Sequence, residues 1–282
     1  MDNILIVGCG DLGCRLGNLL NQQGHNIYGI RRNVNKLPAS ISPIACDISS
    51  ERPDIPTNLD YVYYIVSANS FKDPAYYQAY VLGVKHTLQA LEGQNIKRIF
   101  FISSTSVFRQ SSAEWVNEES DVSDQSFSSK RLLEGEKEIQ ECSFPSTIIR
   151  FGGIYGLGRT HLIDLVLNGK AHCMEDVYSN RINSEDCVGI LAHLLNIEEK
   201  QSLNELYIAV DNEPTLTCEV YEWLAEQLSV SRIEHIEPTE NSRTKRSNKR
   251  LSNKKIRDTG YQFKYPTYKE GYFALIEQKN TP

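Results

Sequence analysis

The sequence predicts an α/β fold: a doubly wound parallel sheet with helices on both faces, and a smaller C-terminal lobe. Three observations predict it. A short apolar strand, Asn3-Ile4-Leu5-Ile6-Val7, runs straight into Gly8-Cys9-Gly10-Asp11-Leu12-Gly13. Strand-like and helix-like segments then alternate through the first half of the chain. The last third mixes helices with short strands.

The glycine spacing is that of a dinucleotide-binding turn. Gly8 turns the chain off the strand, Gly10 clears the way for a pyrophosphate to reach the backbone, and Gly13 lets the next helix lie close to the strand. Leu16, Leu19 and Leu20 continue as an apolar helical face, and Gly24 ends that helix before a second strand, Asn26-Ile27-Tyr28-Gly29-Ile30. This strand–turn–helix–strand unit is the start of a Rossmann fold. About twenty residues past the glycines, where an acid would hold the ribose hydroxyl of NAD, stand Arg31 and Arg32. Guanidinium groups pair with a 2′-phosphate, so the expected cofactor is NADP rather than NAD.

Further elements follow in order. Ile44-Ala45-Cys46-Asp47 comes next, then a buried strand Tyr61–Val66 ending at Ser67-Ala68. A helix carrying Tyr77, Tyr80, Val81, Val84, Leu88 and Leu91 precedes the core strand Arg98–Ile102, whose C-terminal end releases Ser103-Ser104-Thr105-Ser106-Val107-Phe108. Ligands of open α/β sheets sit outside such strand ends. Residues 109–125 read as a polar surface loop, and a helix runs from about Phe127 to Glu141. The strand Thr147–Arg150 ends at Phe151-Gly152-Gly153. Helices are expected around 160–168, 185–196 and 217–228, with short strands near Leu206–Val210 and Arg232–Ile236. The division expected is a cofactor domain of residues 1–153 with about 185–211, and a smaller substrate lobe of about 154–184 and 212–282.

Composition narrows the function. With 282 residues, 40% hydrophobic content and a net charge of −6, the chain has the balance of an ordinary globular protein and lacks the basic excess of a nucleic-acid binder. No run is long and apolar enough to cross a bilayer, and the N-terminus is a core strand rather than a signal peptide. The seven cysteines (9, 14, 46, 142, 173, 187, 218) show neither metal-type pairing nor disulfide spacing, so reduced cytoplasmic thiols and no metal are expected. Cys9 reads as a small filler within the turn. A homodimer is compatible with these features.

Several segments together resemble a known family. The Gly8–Gly13 turn, Ser103–Phe108, Arg150-Phe151-Gly152-Gly153-Ile154-Tyr155-Gly156, Arg181-Ile182-Asn183-Ser184-Glu185-Asp186 and Gly260-Tyr261-Gln262-Phe263-Lys264-Tyr265-Pro266 recur in that order in extended and atypical short-chain dehydrogenase/reductases. The chain is similar to the NAD(P)-dependent epimerase/dehydratase group over nearly its whole length. The resemblance implies an NAD(P)-dependent oxidoreductase or epimerase/dehydratase acting on a small carbonyl or nucleotide-sugar-type molecule. It implies Ser104 on the substrate oxygen and Lys130 at the nicotinamide ribose, with Glu134 at its expected place after that lysine. Asp47 is implied at the adenine, and Ser67, Ala68, Phe151 and Gly152 along the cofactor.

The family's catalytic tyrosine, four residues before the lysine, is replaced by Ser126, and its asparagine aligns with Tyr80. A serine hydroxyl is too weak an acid for that proton transfer. Three readings stand: another residue such as Tyr80 or Tyr155 supplies the proton, the chemistry needs only hydride and a polarised carbonyl, or the protein binds NADP(H) without turnover as a sensor. Tyr76, Tyr77 and Tyr80 also fit plain packing at helical spacing. Asp186 fits either a turn organiser or a helix cap. Eight basic residues and no acid between Arg243 and Arg257 suggest a solvated loop, an anionic-substrate clamp, or a nucleic-acid or partner-protein surface.

Overall fold

The computed structural model describes residues 1–198, 202–231, 233–236 and 247–280. It opens with β1 (Asn3–Val7), α1 (Asp11–Gln22) and β2 (Asn26–Arg31), followed by a 3-10 turn at Val34–Lys36, β3 (Ser42–Ala45) and β4 (Tyr61–Tyr64). Next come α2 (Asp73–Tyr77), a π-helical turn at Gln78–Leu82, α3 (Gly83–Leu91), β5 (Arg98–Ser104) and a 3-10 turn at Thr105–Val107. β6 (Glu114–Val116), α4 (Phe127–Glu141), β7 (Ser146–Phe151), β8 (Gly153–Tyr155) and α5 (His161–Leu167) continue the chain. β9 (His172–Cys173), β10 (Tyr178–Ser179), β11 (Arg181–Asn183), α6 (Ser184–Glu198), β12 (Leu206–Ala209), β13 (Thr215–Leu216) and α7 (Thr217–Gln227) lead to β14 (Glu234–His235), β15 (Lys249–Leu251), α8 (Lys254–Asp258) and α9 (Tyr268–Asn280).

The chain divides into two compact units, one of residues 1–107, 123–150 and 188–207, the other of 108–122, 151–187 and 208–282. The first unit is built on a parallel seven-stranded sheet of order β12-β7-β5-β4-β1-β2-β3. The order reverses beside β1, where Val7 faces Ile30 on one side and Tyr64 on the other. Crevices that bind ligands open at such reversals. β1 and β4 are buried on both faces, as apolar strands covered by helices must be. Tyr63 stacks on Phe100 at 4.7 Å and donates its hydroxyl to the Leu191 carbonyl, so this buried phenol is satisfied.

One buried ion cluster ties α4 to the sheet. Glu136 accepts from Arg150 Nε at 2.9 Å and Nη2 at 2.6 Å, and from the Ser103 hydroxyl at 2.5 Å. All three residues are buried. Close packing of α4 depends on Gly135, whose added Cβ would lie 2.3 Å from the Tyr80 carbonyl.

The second unit has its own core, in which Tyr155, Ile163, Val166, Leu224, Tyr268 and Tyr272 pack together. Three expectations need correction here. Residues 109–125 are not all loop: Glu114–Val116 forms β6, paired in parallel with Lys249–Leu251. Its partner lies more than a hundred residues away, so no local pattern announces it. The strand expected over Arg232–Ile236 is only Glu234–His235 among the described residues. The cysteines are not all free, because Cys173 and Cys218 form a disulfide. Of the basic stretch, Arg243, Lys245 and Arg246 lie outside the described residues, while Lys249 and Arg250 serve structure. Lys249 is buried and donates to the Phe108 carbonyl, and Arg250 donates to the Ala113 carbonyl and lies over the Trp115 and Tyr178 rings.

Candidate functional site

At the C-terminal ends of β1, β2 and β4 the first unit opens a cleft of about 370 Å³. Gly8, Cys9 and Gly10 form its floor, Arg31, Arg32 and Lys36 one edge, Asp47 and Ser49 the next, and Ile65, Val66 and Ser67 the opposite side. Ala75, Gln78 and Ala79 close the far wall.

The three glycines do different work. Gly8 has φ +86°, and a Cβ there would sit 2.7 Å from the Ile65 carbonyl oxygen. A Cβ on Gly13 would come within 2.9 Å of the Gly8 carbonyl oxygen, which is the helix-to-strand closeness the spacing predicts. A Cβ on Gly10 would meet nothing nearer than 3.9 Å. Gly10 is therefore small for the sake of space in the cleft and not of packing. Asp11 begins α1 exposed and Leu12 is buried on its inner face, so of the Gly8–Gly13 segment only Gly8, Cys9 and Gly10 line the cleft. Burial pushes the Cys9 thiol up, which suits an inert filler.

Charge is concentrated on one edge. Arg31 Nη1 donates to the Cys9 carbonyl at 3.2 Å, which fixes its stem against the turn. Arg32 is largely exposed, with Nη1 4.0 Å from Asp47 Oδ2. Lys36, brought in by the 3-10 turn, is a third cation that the sequence pattern does not single out, because only the turn swings it back to the cleft. Asp47 accepts from the Ser49 hydroxyl at 2.6 Å and amide at 3.1 Å, and this bonding holds its carboxyl below the usual range.

The Ala75–Ala79 wall is likewise absent from the sequence expectations. It belongs to α2 and the π-helical turn, where an uninterrupted helix is expected. The Tyr64 hydroxyl donates to the Ala79 carbonyl at 2.5 Å, and π turns of this kind recur at functional sites. Ala68 does not line the cleft.

The residues expected to do chemistry fare differently. Ser104 ends β5, and its Oγ accepts from the Ser106 amide at 3.2 Å. Ser126 is the N-cap of α4, accepting from the Ser129 amide at 3.1 Å and bonding the Ser129 hydroxyl at 2.7 Å. That hydroxyl in turn donates to the Ser106 carbonyl. Lys130 is exposed on α4 and does not line the cleft; with Arg131, which bonds Asp73 directly, it holds the Asp73 carboxyl low. Glu134 pairs with Arg131 at the surface, and the carboxylate that α4 buries is Glu136. Tyr80 is buried and packed on Tyr76, and burial pushes its hydroxyl up to about 12. A phenol held there is a poor acid near neutrality.

Phe151 and Gly152 belong to the second unit and not to the lining of this cleft. Phe151 is buried, and a Cβ on Gly152 would strike Val210 Cγ1 at 2.7 Å. Tyr155, also in that unit, stacks on Tyr272 at 4.3 Å as a core residue, with burial raising its hydroxyl. Asp186 is a turn organiser: it accepts from the Lys264 and Tyr265 amides and from the Tyr261 hydroxyl, fixing the Gly260–Pro266 segment.

The cleft thus combines the glycine turn with three cationic side chains and a single acid, while Ser126, Ser129 and Ser106 are joined by hydrogen bonds of their hydroxyl and backbone groups. Comparison with known proteins agrees with the architecture. No curated protein matches the chain. Among solved structures, one from Methylobacillus flagellatus titled "putative NAD-dependent epimerase/dehydratase" has 31% identity and TM-score 0.80, covering 99% of both chains. MoeE5, solved with UDP-glucose and NAD, has 18% identity and TM-score 0.80 over 99% of this chain and 98% of its own. The human epimerase family protein SDR39U1, solved with NADPH, has 17% identity and TM-score 0.73, covering 94% and 96%. The model of the NAD dependent epimerase/dehydratase family matches residues 4–171. The chain belongs to the NAD-dependent epimerase/dehydratase family.

Proposed function

We propose that this protein binds NADP(H) at the Gly8–Gly10 cleft and acts as an oxidoreductase or epimerase/dehydratase on a small carbonyl or nucleotide-sugar-type substrate, anionic ones included. The observation that carries the cofactor choice is the cationic edge of Arg31, Arg32 and Lys36. Asp47 is the one acid among the lining residues, and it is held by Ser49 and faces Arg32. A 2′-phosphate suits such an edge, since guanidinium groups bind phosphate through paired hydrogen bonds. The space beside Gly10 and the N-terminal amides of α1 suit a pyrophosphate.

When bound, the nicotinamide supplies or accepts a hydride. The chain's own part is to hold and orient. The Ser104 oxygen already accepts from the Ser106 amide, which leaves its proton for a substrate oxygen.

A second reading, cofactor binding without turnover, is favoured by Ser126, whose hydroxyl is committed to capping α4. Titration with NADPH and NADH tests the cofactor choice. The Arg32→Ala/Lys36→Ala variant should weaken NADPH about tenfold and leave NADH unchanged, as loss of charge-assisted phosphate contacts at an exposed edge implies. An unaltered NADPH-to-NADH ratio refutes the phosphate contact. Substrate-dependent consumption of NADPH across carbonyl and nucleotide-sugar panels supports the enzyme; tight binding with no consumption supports the second reading.

A further inference from the structure

Apart from the cleft, the second unit brings three metal-type ligands together. Cys173 lies on β9, His235 on β14 and Cys218 in the first turn of α7, and their ligand atoms all lie within 4.8 Å of one another. The backbone sets this up. β9 and β14 pair in parallel with His235 directly opposite Cys173, so both side chains leave the same face of the ribbon. Cys173 is fully buried in the unit's core, Cys218 half-buried and His235 exposed.

The imidazole is held on both nitrogens. His235 Nδ1 lies 3.5 Å from Glu175 and Nε2 lies 3.3 Å from Glu222. Glu222 is one helical turn from Cys218 on α7. A disulfide alone makes no use of an imidazole and two carboxylates. A cation does: one nitrogen ligates, a carboxylate beside it can complete the shell, and the other nitrogen keeps a carboxylate that orients the ring.

We propose that reduced Cys173 and Cys218, with His235, form a binding site for a zinc-type divalent cation, and that the disulfide is the oxidised, cation-free form of the same site. Two thiolates and an imidazole are a ligand set that zinc favours, and a carboxylate or water serves as fourth ligand. Metal–ligand bonds of about 2.0–2.3 Å put tetrahedral ligand atoms roughly 3.5 Å apart, so the two bonded sulfurs must part on reduction, while all three ligand atoms already lie within 4.8 Å of one another. The interconversion balances with a dithiol as reductant. The dithiol breaks the Cys173–Cys218 bond, gives each sulfur an electron and a proton, and leaves as its own disulfide. The cation then displaces the two thiol protons.

Cobalt(II) titration of the dithiol-treated full chain tests this, because a thiolate-rich tetrahedral site gives sulfur-to-cobalt charge-transfer bands and intense d–d bands. The expected result is one equivalent bound by the reduced chain and none by the oxidised chain, with Zn2+ displacing the cobalt and raising the melting temperature. Cys218→Ser and His235→Ala should each weaken binding more than tenfold; His235 is exposed, so its variant folds even if the cysteine variant does not. Glu175→Gln/Glu222→Gln should weaken binding about 10- to 100-fold if the carboxylates only orient the ring. Binding by His235→Ala equal to wild type overturns the ligand set. Uptake by the reduced chain no greater than by Cys173→Ser/Cys218→Ser, or a disulfide that survives excess dithiol, overturns the site.

Discussion

Gly8 and Gly10 sit two residues apart and answer to different constraints. Gly8 is required by the fold, since its φ of +86° and the Ile65 carbonyl oxygen, 2.7 Å from where a Cβ would stand, leave no place for a side chain. A Cβ on Gly10 would meet nothing nearer than 3.9 Å, so under the proposed function it is the ligand and not packing that asks for glycine there. Gly8→Ala is therefore expected to lower the melting temperature, whereas Gly10→Val should melt like wild type and fail to bind NADPH. Thermal shift with and without NADPH separates the two outcomes. Ser126 supplies the matching case for a polar residue. As the N-cap of α4 it should be worth about 1 kcal/mol, so Ser126→Ala loses that much in urea unfolding with NADPH affinity unchanged. The position was legible in the sequence as a missing acid. Its capping contact is as local, a serine just ahead of the helix accepting from the amide three residues on, and only the link from the Ser129 hydroxyl to the Ser106 carbonyl needs the fold.

Among the elements, α4 shows best how a surface-looking helix is anchored. Lys130 is exposed and Arg131 and Glu134 pair in a half-buried position, while Glu136 is buried against Arg150 from β7 and Ser103 from β5. Removing one partner of a buried pair strands the other charge, at a cost of about 3–5 kcal/mol. Glu136→Ala should unfold at markedly lower urea, and Glu134→Ala should shift the midpoint little. Equal shifts for the two variants would contradict the cluster's role. The extent of α4 was legible from residues 127–141, yet periodicity gave no reason to choose Glu136 over Glu134. That choice rests on where Arg150 ends up. The same holds for β6, which exists as a strand through β15 alone.

At the scale of the whole molecule, stability should carry the mark of Asp211. Burial raises its carboxyl to about 7, against the pull of Arg181, and its Oδ2 has no partner among the described residues. Unfolded, the same group titrates near 4. Between about pH 4 and 7 the folded chain thus binds more protons than the unfolded one, so stability falls as pH rises through that window and levels off above it. The slope from this one group reaches at most about 1.4 kcal/mol per pH unit. Asp211→Asn should flatten the slope in denaturant titrations across that range, and an unchanged slope would remove Asp211 as its source.

The sequence by itself determined whatever consecutive residues encode. The glycine turn, the strand–helix alternation, the arginines closing β2 and the span of α4 all follow from sterics and periodicity over a few residues. Only the tertiary structure decided what depends on distant chain segments meeting. It brought Lys36 to the cleft, set Glu136 against Arg150, tied the Ser129 hydroxyl to the Ser106 carbonyl, and placed Cys173, Cys218 and His235 together across 62 positions of sequence. Such contacts arise from packing between elements, and no local pattern carries their geometry.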